Sequence, residues 1–302
     1  MANLPIFPNF KPLALEDRDF IHERLWAYQP RTSELTFTNL FIWRDAYKLH
    51  WAVYEDDWLL LLCEKEDDPY AFPVVGPGQR VEATRAFLTW LRDDRDIARP
   101  RMERADARLA AELEDAPDLK IDPTREHFDY VYSREDLAAL AGRDYSNKRN
   151  HINHFLRAYD YTYAALTPDN VDACLRVACE WCEKYRCEDD MNLIEERDAV
   201  RESLEHFSQL RIQGGVVYVE GRIEAFSMGE MLNEETLVVH IEKADPDIRG
   251  LYQIINRDFL RHCCTEATYV NREQDLGVPG LRRAKKSYHP DHLVEKYRIG
   301  LR

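Results

Sequence analysis

Two stretches of the chain alternate apolar and polar positions around a short turn. "LHWAVYEDDWLLLLCEK" (49–65) and "GGVVYVEGRIEAFSMGEML" (214–232) each carry two runs rich in aliphatic and aromatic residues, broken by a polar or glycine-containing turn, as hairpins do. Around the first, the pattern predicts a strand at "FKPLAL", a helix over 17–28, a strand at "AFPVV", a Gly-Pro-Gly loop, a helix over 81–91, a strand near Arg101, a helix over 105–113 and a strand at "FDYVYS". Around the second it predicts a strand at "YTYAAL", helices over 171–185 and 199–210, a strand at "TLVVHIEK", a helix over 248–262, a strand at "TYVNRE", a helix over 281–288 and a last strand at "HLVEKYRI". The two series run in the same order. Their openings share a rhythm too, since "LALEDRD" and "AALTPDN" both pass from an apolar strand into an acidic, capping-type helix start. The reading is therefore α+β, a tandem duplication of a mixed sheet with flanking helices. The units are expected at 1–140 and 141–302, joined between Leu137 and Asn153, where Gly142 marks a helix end.

Composition narrows the setting. A chain of 302 residues with 45% hydrophobic and 32% charged residues can bury real cores, which argues against extended disorder. Its longest strongly apolar run, Trp58 to Cys63, is far shorter than the ~18 residues of a bilayer span, so no membrane insertion is expected. "MANLPIFPNF" lacks the basic and apolar regions of a secretory signal. Seven cysteines, an odd number, give no disulfide framework and fit a reducing compartment, so a cytoplasmic location is expected. Cys174, Cys179, Cys182 and Cys187 have a metal-like spacing, but a continuous helix would point their sulfurs in different directions, and no metal site is expected. The net charge of −15 opposes general binding to nucleic acid or anionic membranes. Two basic segments stand against that field, "SNKRNHINHFLR" and the Arg282, Arg283, Lys285, Lys286 cluster, and either can hold an anion locally.

Two stretches carry candidate chemistry. In "VVHIEKADPDIRGLYQIINRDF", Asp245-Pro246-Asp247 opens a helix directly after a strand, with Leu251, Ile255 and Phe259 on one stripe. Free N–H groups at such a start attract anions. Gly250 gives backbone room and Arg249 adds a charge-assisted contact. In "YVNREQDLGVPGLRRAKKSYHP", Leu281, Ala284 and Tyr288 fall on one helical face, which would turn the tyrosine inward and the basic residues outward. On these two stretches and the order of elements, the chain resembles the DUF2156-type relatives of the C-terminal domain of phosphatidylglycerol lysyltransferase, which are tandem acyl-CoA N-acyltransferase (GNAT-like) folds.

The resemblance implies a transferase that moves an activated acyl group from acyl-CoA or aminoacyl-tRNA to an amine or hydroxyl acceptor, a small molecule or peptide, without a metal. It implies a second unit carrying the site and a first unit that is degenerate, having no counterpart of Tyr288. Tyr288 matches the tyrosine that protonates the leaving group. The donor loop falls on Arg249, Gly250 and Tyr252, with Asp247 and Tyr252 standing where the coenzyme A pattern has Arg or Gln and a small residue. Lys285 and Lys286 are placed to reach outlying phosphates, a tRNA among the possible partners. Because Val238, His240 and Glu242 alternate onto one strand face, Glu242 is the first candidate base and His240 the second. The alternative role for Glu242 is as the ion-pair partner of Lys243, Arg249 or Arg272. Asn271, Arg272, Glu273 and Asp275 can bind a polar acceptor or cap the turn before Gly277. The alternative from another class is a non-catalytic protein that kept the fold and binds an anionic ligand. Oligomeric state is not legible.

Overall fold

A computed structural model describes residues 4–55, 58–66 and 68–302, so the turn of the first predicted hairpin, Asp56-Asp57, lies outside the described residues. The chain forms two compact units. The first comprises the residues up to Asp129 with 274–279 and 293–302, the second 130–273 and 280–292.

The first unit is built on strands β1 (Lys11–Pro12), β2 (Leu49–Tyr54), β3 (Trp58–Cys63), β4 (Tyr70–Ala71), β5 (Arg101–Asp106) and β6 (Leu119–Pro123). The second holds β7 (Asp129–Ser133), β8 (Tyr161–Ala165), β9 (Gln213–Val219), β10 (Arg222–Met231), β11 (Thr236–Ala244), β12 (Tyr269–Asn271) and β13 (His292–Val294); β14 (Lys296–Leu301) returns to the first. The sheets run β1-β2-β3-β4-β5-β14-β6 and, read from the opposite edge, β8-β9-β10-β11-β12-β7-β13. They correspond position by position. In each, the fourth and fifth strands pair in parallel, β4 with β5 and β11 with β12, and the sixth runs antiparallel to the fifth. The predicted duplication is thus present as two similar mixed sheets flanked by helices.

The units are not the two sequence halves. β7, from the first half, takes the sixth position of the second sheet, with Val270 opposite Tyr132. β14, from the second half, takes the sixth position of the first, with Ile299 opposite both Met102 and Ile121. The predicted last strand "HLVEKYRI" is accordingly cut at Glu295, and its two pieces enter different sheets. The division falls at Asp129/Tyr130 rather than between Leu137 and Asn153. Strand periodicity reports which face is buried but not which neighbour covers the edge, so it is blind to such an exchange.

Local sequence accounts for most elements. Leu59 to Leu62 are buried on both faces of β3, as an uninterrupted apolar run in a central strand must be. Ala83, Phe87, Leu88 and Leu91 form the inward stripe of the Val81–Asp93 helix and pack with Leu60, Leu62, Met102 and Ile299. β14 is further fixed by Lys296, whose fully buried ammonium lies 2.6 Å from Glu34 and 2.7 Å from Asp129. In the second unit, Leu251, Ile254, Ile255 and Phe259 bury one face of the Leu251–His262 helix. Elements not predicted include β6 and the helices Phe37–Ile42, Arg44–Tyr47 and Ser146–Ala158. The last is largely polar and buries only Lys148, Ile152 and Phe155, too thin a stripe to stand out in sequence.

The cysteine expectation changes. Cys182 and Cys187 form a disulfide, because Arg186 adopts a left-handed conformation at the end of the Val171–Tyr185 helix and turns the chain back on its last turn. Cys174 is buried and Cys179 exposed, and among the described residues no group of His, Cys, Asp and Glu is arranged to hold a metal. No helix among them is long and apolar enough to cross a membrane.

Candidate active site

The site grows from the parting of two strands. β11 and β12 pair in parallel only from Thr236↔Tyr269 to Val238↔Asn271, after which β11 runs on alone on that side to Ala244. A bulge opposite Met228 and Gly229 adds His240 to β11 just where the strands separate. Side chains span the wedge. The carboxylate of Glu242 accepts from the Arg272 guanidinium at 3.0 Å, and the His240 ring lies 3.3 Å from Glu273 and 3.1 Å from Glu230. Of the alternatives for Glu242, the ion pair is with Arg272. Lys243 pairs with Glu196 instead, at 2.6 Å.

Tyr288 closes the wedge. It is 7% exposed and lies just past the end of the Pro279–Lys286 helix, not on it. The predicted inward face is reversed: Leu281 and Ala284 are exposed, while Arg282 and Lys285 are half-buried. The turn carrying Tyr288 is held by three side chains: Tyr132 donates to the Lys285 carbonyl (2.9 Å), Tyr145 to the Tyr288 carbonyl (3.1 Å) and Lys148 to the Ser287 hydroxyl (2.6 Å). Burial, against the pull of Arg272, pushes the phenol up to about 12; hydrogen bonds from Gln253 and Arg272 act the other way, as donors to its oxygen do. The hydroxyl therefore keeps its proton at neutral pH.

The two base candidates differ. Burial alone would favour neutral imidazole at His240, but the hydrogen bonds to Glu230 and Glu273 outweigh it and carry the group up to about 9. His240 is thus already protonated at pH 7. Glu242 also accepts from Asn256 Nδ2 at 3.0 Å, and Asn256 Oδ1, buried beside it, has no hydrogen-bond partner among the described residues.

The remaining expected residues are spread more widely. Arg249 is exposed beside His151. Gly250 precedes the Leu251–His262 helix at φ 95°, and the room its missing side chain leaves is filled by the His151 carbonyl, 2.4 Å from where a Cβ would stand, so it serves helix packing. Tyr252 accepts from the Trp181 indole at 2.8 Å. Lys285 turns its ammonium onto the backbone carbonyls of Arg272 and Glu273, whereas Lys286 is exposed. Asn271 accepts from the Glu273 N–H at 2.8 Å and shapes the strand end. Asp275 belongs to the first unit, where it accepts from the Gly277 N–H at 2.9 Å, the turn-capping alternative.

Lys148, Gln253 and Asn256 complete the cluster and were not singled out as site residues in the sequence. Lys148 is 8% exposed, with its Nζ 3.7 Å from the centroid of the Tyr288 ring. Burial first, and Arg272 second, press it down to about 8, with Glu242 pulling the other way. The signal lay in spacing: Lys148, Ile152 and Phe155 recur as one buried stripe, with a lysine where a core residue belongs.

Known proteins share this architecture. A Bacteroides thetaiotaomicron protein described as conserved and of unknown function is 36% identical, superimposes with a TM-score of 0.90, and is matched over 97% of this chain and 99% of its own. The C-terminal domain (DUF2156) of a protein described as a lysylphosphatidylglycerol synthetase from Agrobacterium fabrum matches at 14% identity and TM-score 0.67 over 95% of this chain and 91% of its own. L-PGS from Bacillus licheniformis matches at 13% and 0.66 over 95% and 92%. These last two speak for the fold alone. The family described as "Phosphatidylglycerol lysyltransferase, C-terminal" matches residues 27–300. Sheet order, parted strands and that match together make the chain a member of the phosphatidylglycerol lysyltransferase C-terminal family, with its tandem acyltransferase-type fold.

Proposed function

We propose that the second unit transfers an acyl group from a ribose ester, as carried by aminoacyl-tRNA, to an amine. The observation that carries this reading is Tyr288, buried at the wedge with the Arg272 guanidinium over its ring and its phenol pushed up to about 12. An acid near 12 is poorly matched to a thiolate, whose conjugate thiol sits at about 8.5, and better matched to the far more basic alkoxide of a sugar. The filled space at Gly250 and the fixed Tyr252 also leave little of the small-residue cradle that coenzyme A needs.

In the step envisaged, the acceptor nitrogen places an N–H against the vacant Asn256 Oδ1 and attacks the ester carbonyl. The C–N bond forms, the C–O bond to the ribose breaks, Glu242 takes the amine proton, and Tyr288 gives its proton to the departing oxygen. Glu242 returns a proton to the phenolate through solvent, restoring both groups.

The test supplies aminoacyl-tRNA and acyl-CoA separately, each with a labelled acyl group, and hydroxylamine as surrogate amine, with uncatalysed aminolysis subtracted. Wild type is expected to consume the ester. Tyr288→Phe should lower kcat about 100-fold or more while donor Kd stays within about twofold. Consumption of the thioester instead overturns the ester reading. A donor that binds without turnover leaves the anionic-ligand-binding alternative standing.

A further inference from the structure

Lys148 occupies an expensive place. It takes the first position of the Lys148, Ile152, Phe155 stripe, where the Ser146–Ala158 helix buries its side chains, and its Nζ meets the face of Tyr288 and the hydroxyl of Ser287 at 2.6 Å. An ammonium has three N–H donors, and a buried one ordinarily faces a carboxylate. Among the described residues no carboxylate forms an ion pair with Lys148. The guanidinium of Arg272 lies over the same ring, 4.9 Å from its centroid, and the nearby Glu242 is already paired with Arg272. Two cations therefore share one carboxylate, an excess positive charge inside a chain whose net charge is −15. The cluster is not sealed, since the Arg272 and Glu242 side chains are 16% and 14% exposed.

We propose that Lys148 and Arg272 form a buried receptor for an oxyanion group carried by the substrate, a phosphate or a carboxylate. The Tyr288 ring engages both cations by cation–π attraction, so that they are in place before the anion arrives. An anion seated there supplies the missing negative charge. The inference rests on the same cluster as the proposed transfer reaction, yet it requires no turnover.

The charged and titratable groups facing Lys148 are Arg272 and Glu242 from the two parted strands, Tyr288 from the turn, and His151 on its own helix. The lysine side-chain signals of labelled protein are followed by NMR against pH, assigned with Lys148→Arg, in matched chloride and with inorganic phosphate or acetate added. In chloride, Lys148 is expected to titrate near pH 8. A bound anion should move that midpoint up by at least about one unit, the mark of roughly tenfold preference for the ammonium. Lys148→Met should weaken anion binding at least tenfold, whereas Lys148→Arg should keep it and extend it above pH 9. Movement by phosphate alone identifies a phosphate-bearing group, and movement by acetate alone a carboxylate. A midpoint unmoved by both anions, or Lys148→Arg binding with the pH profile of the wild type, overturns the proposal. Because wild type and Lys148→Arg carry the decisive readout, a Lys148→Met chain that fails to fold does not obscure it. Failure of acyl transfer with an intact anion response would strike the reaction and spare the receptor.

Discussion

His240 sits on the bulge of β11 between Glu230 and Glu273, and its charge is part of what holds the wedge together. Its folded value of about 9 lies above the ordinary 6.5, so the stabilisation is complete below pH 6.5 and is lost as pH rises through 9. The shift corresponds to about 3 kcal/mol at most. His240→Gln should therefore be less stable than wild type at pH 6, and the gap should narrow by up to that amount toward pH 9.5 in denaturant titrations. A gap independent of pH would show that His240 acts by packing alone. Residues of this kind were half legible in the sequence. Alternation along "VVHIEK" places His240 and Glu242 on a strand, and helical spacing with the family resemblance picks out Tyr288, but only the parting of β11 and β12 brings Arg272 onto Glu242. Lys148, Gln253 and Asn256 come from helices, where a polar residue reads as solvent-facing until a neighbour is known.

At the scale of elements, the Leu251–His262 helix starts three residues beyond the expected Ile248, and Gly250 stands at its start for another physical reason. Gly250 lets the backbone approach a second helix, with His151 O where a side chain would be. Gly250→Ala adds a strained positive φ to that overlap, and a loss of about 2–4 kcal/mol in unfolding free energy is expected by chemical denaturation. A loss below about 0.5 kcal/mol would mean that the helices shift apart freely. The Pro279–Lys286 helix shows the converse. Amphipathic reading turns Leu281 inward, yet Lys285 is the residue that reaches in, because the carbonyls of Arg272 and Glu273 at a strand end need donors and a long cationic side chain supplies them. Sequence period records apolar burial and cannot record which backbone groups are left bare.

For the molecule as a whole, the exchange of sixth strands decides what each unit needs. Lys296 carries β14 into the first sheet and is the buried partner of both Glu34 and Asp129. Lys296→Met removes the ammonium shared by two buried carboxylates, of which Glu34 keeps its ion pair with Arg104, and should cost about 3–5 kcal/mol. Hydrogen exchange should report the loss first at β5 and β6, which flank β14, and protection unchanged at those strands would refute this coupling.

The same exchange has a bearing on birth. During synthesis β1 to β6 emerge first, but the place between β5 and β6 stays empty until every other described element has been translated. The nascent first unit must carry an open sheet with two unpaired inner edges, and Glu34 and Asp129 before Lys296 reaches them, for the remaining time at the ribosome. The second unit receives β7 ahead of its other strands, and the inner places of its sheet are filled once β12 has been made. The part of the chain that is made first is thus the part that closes last.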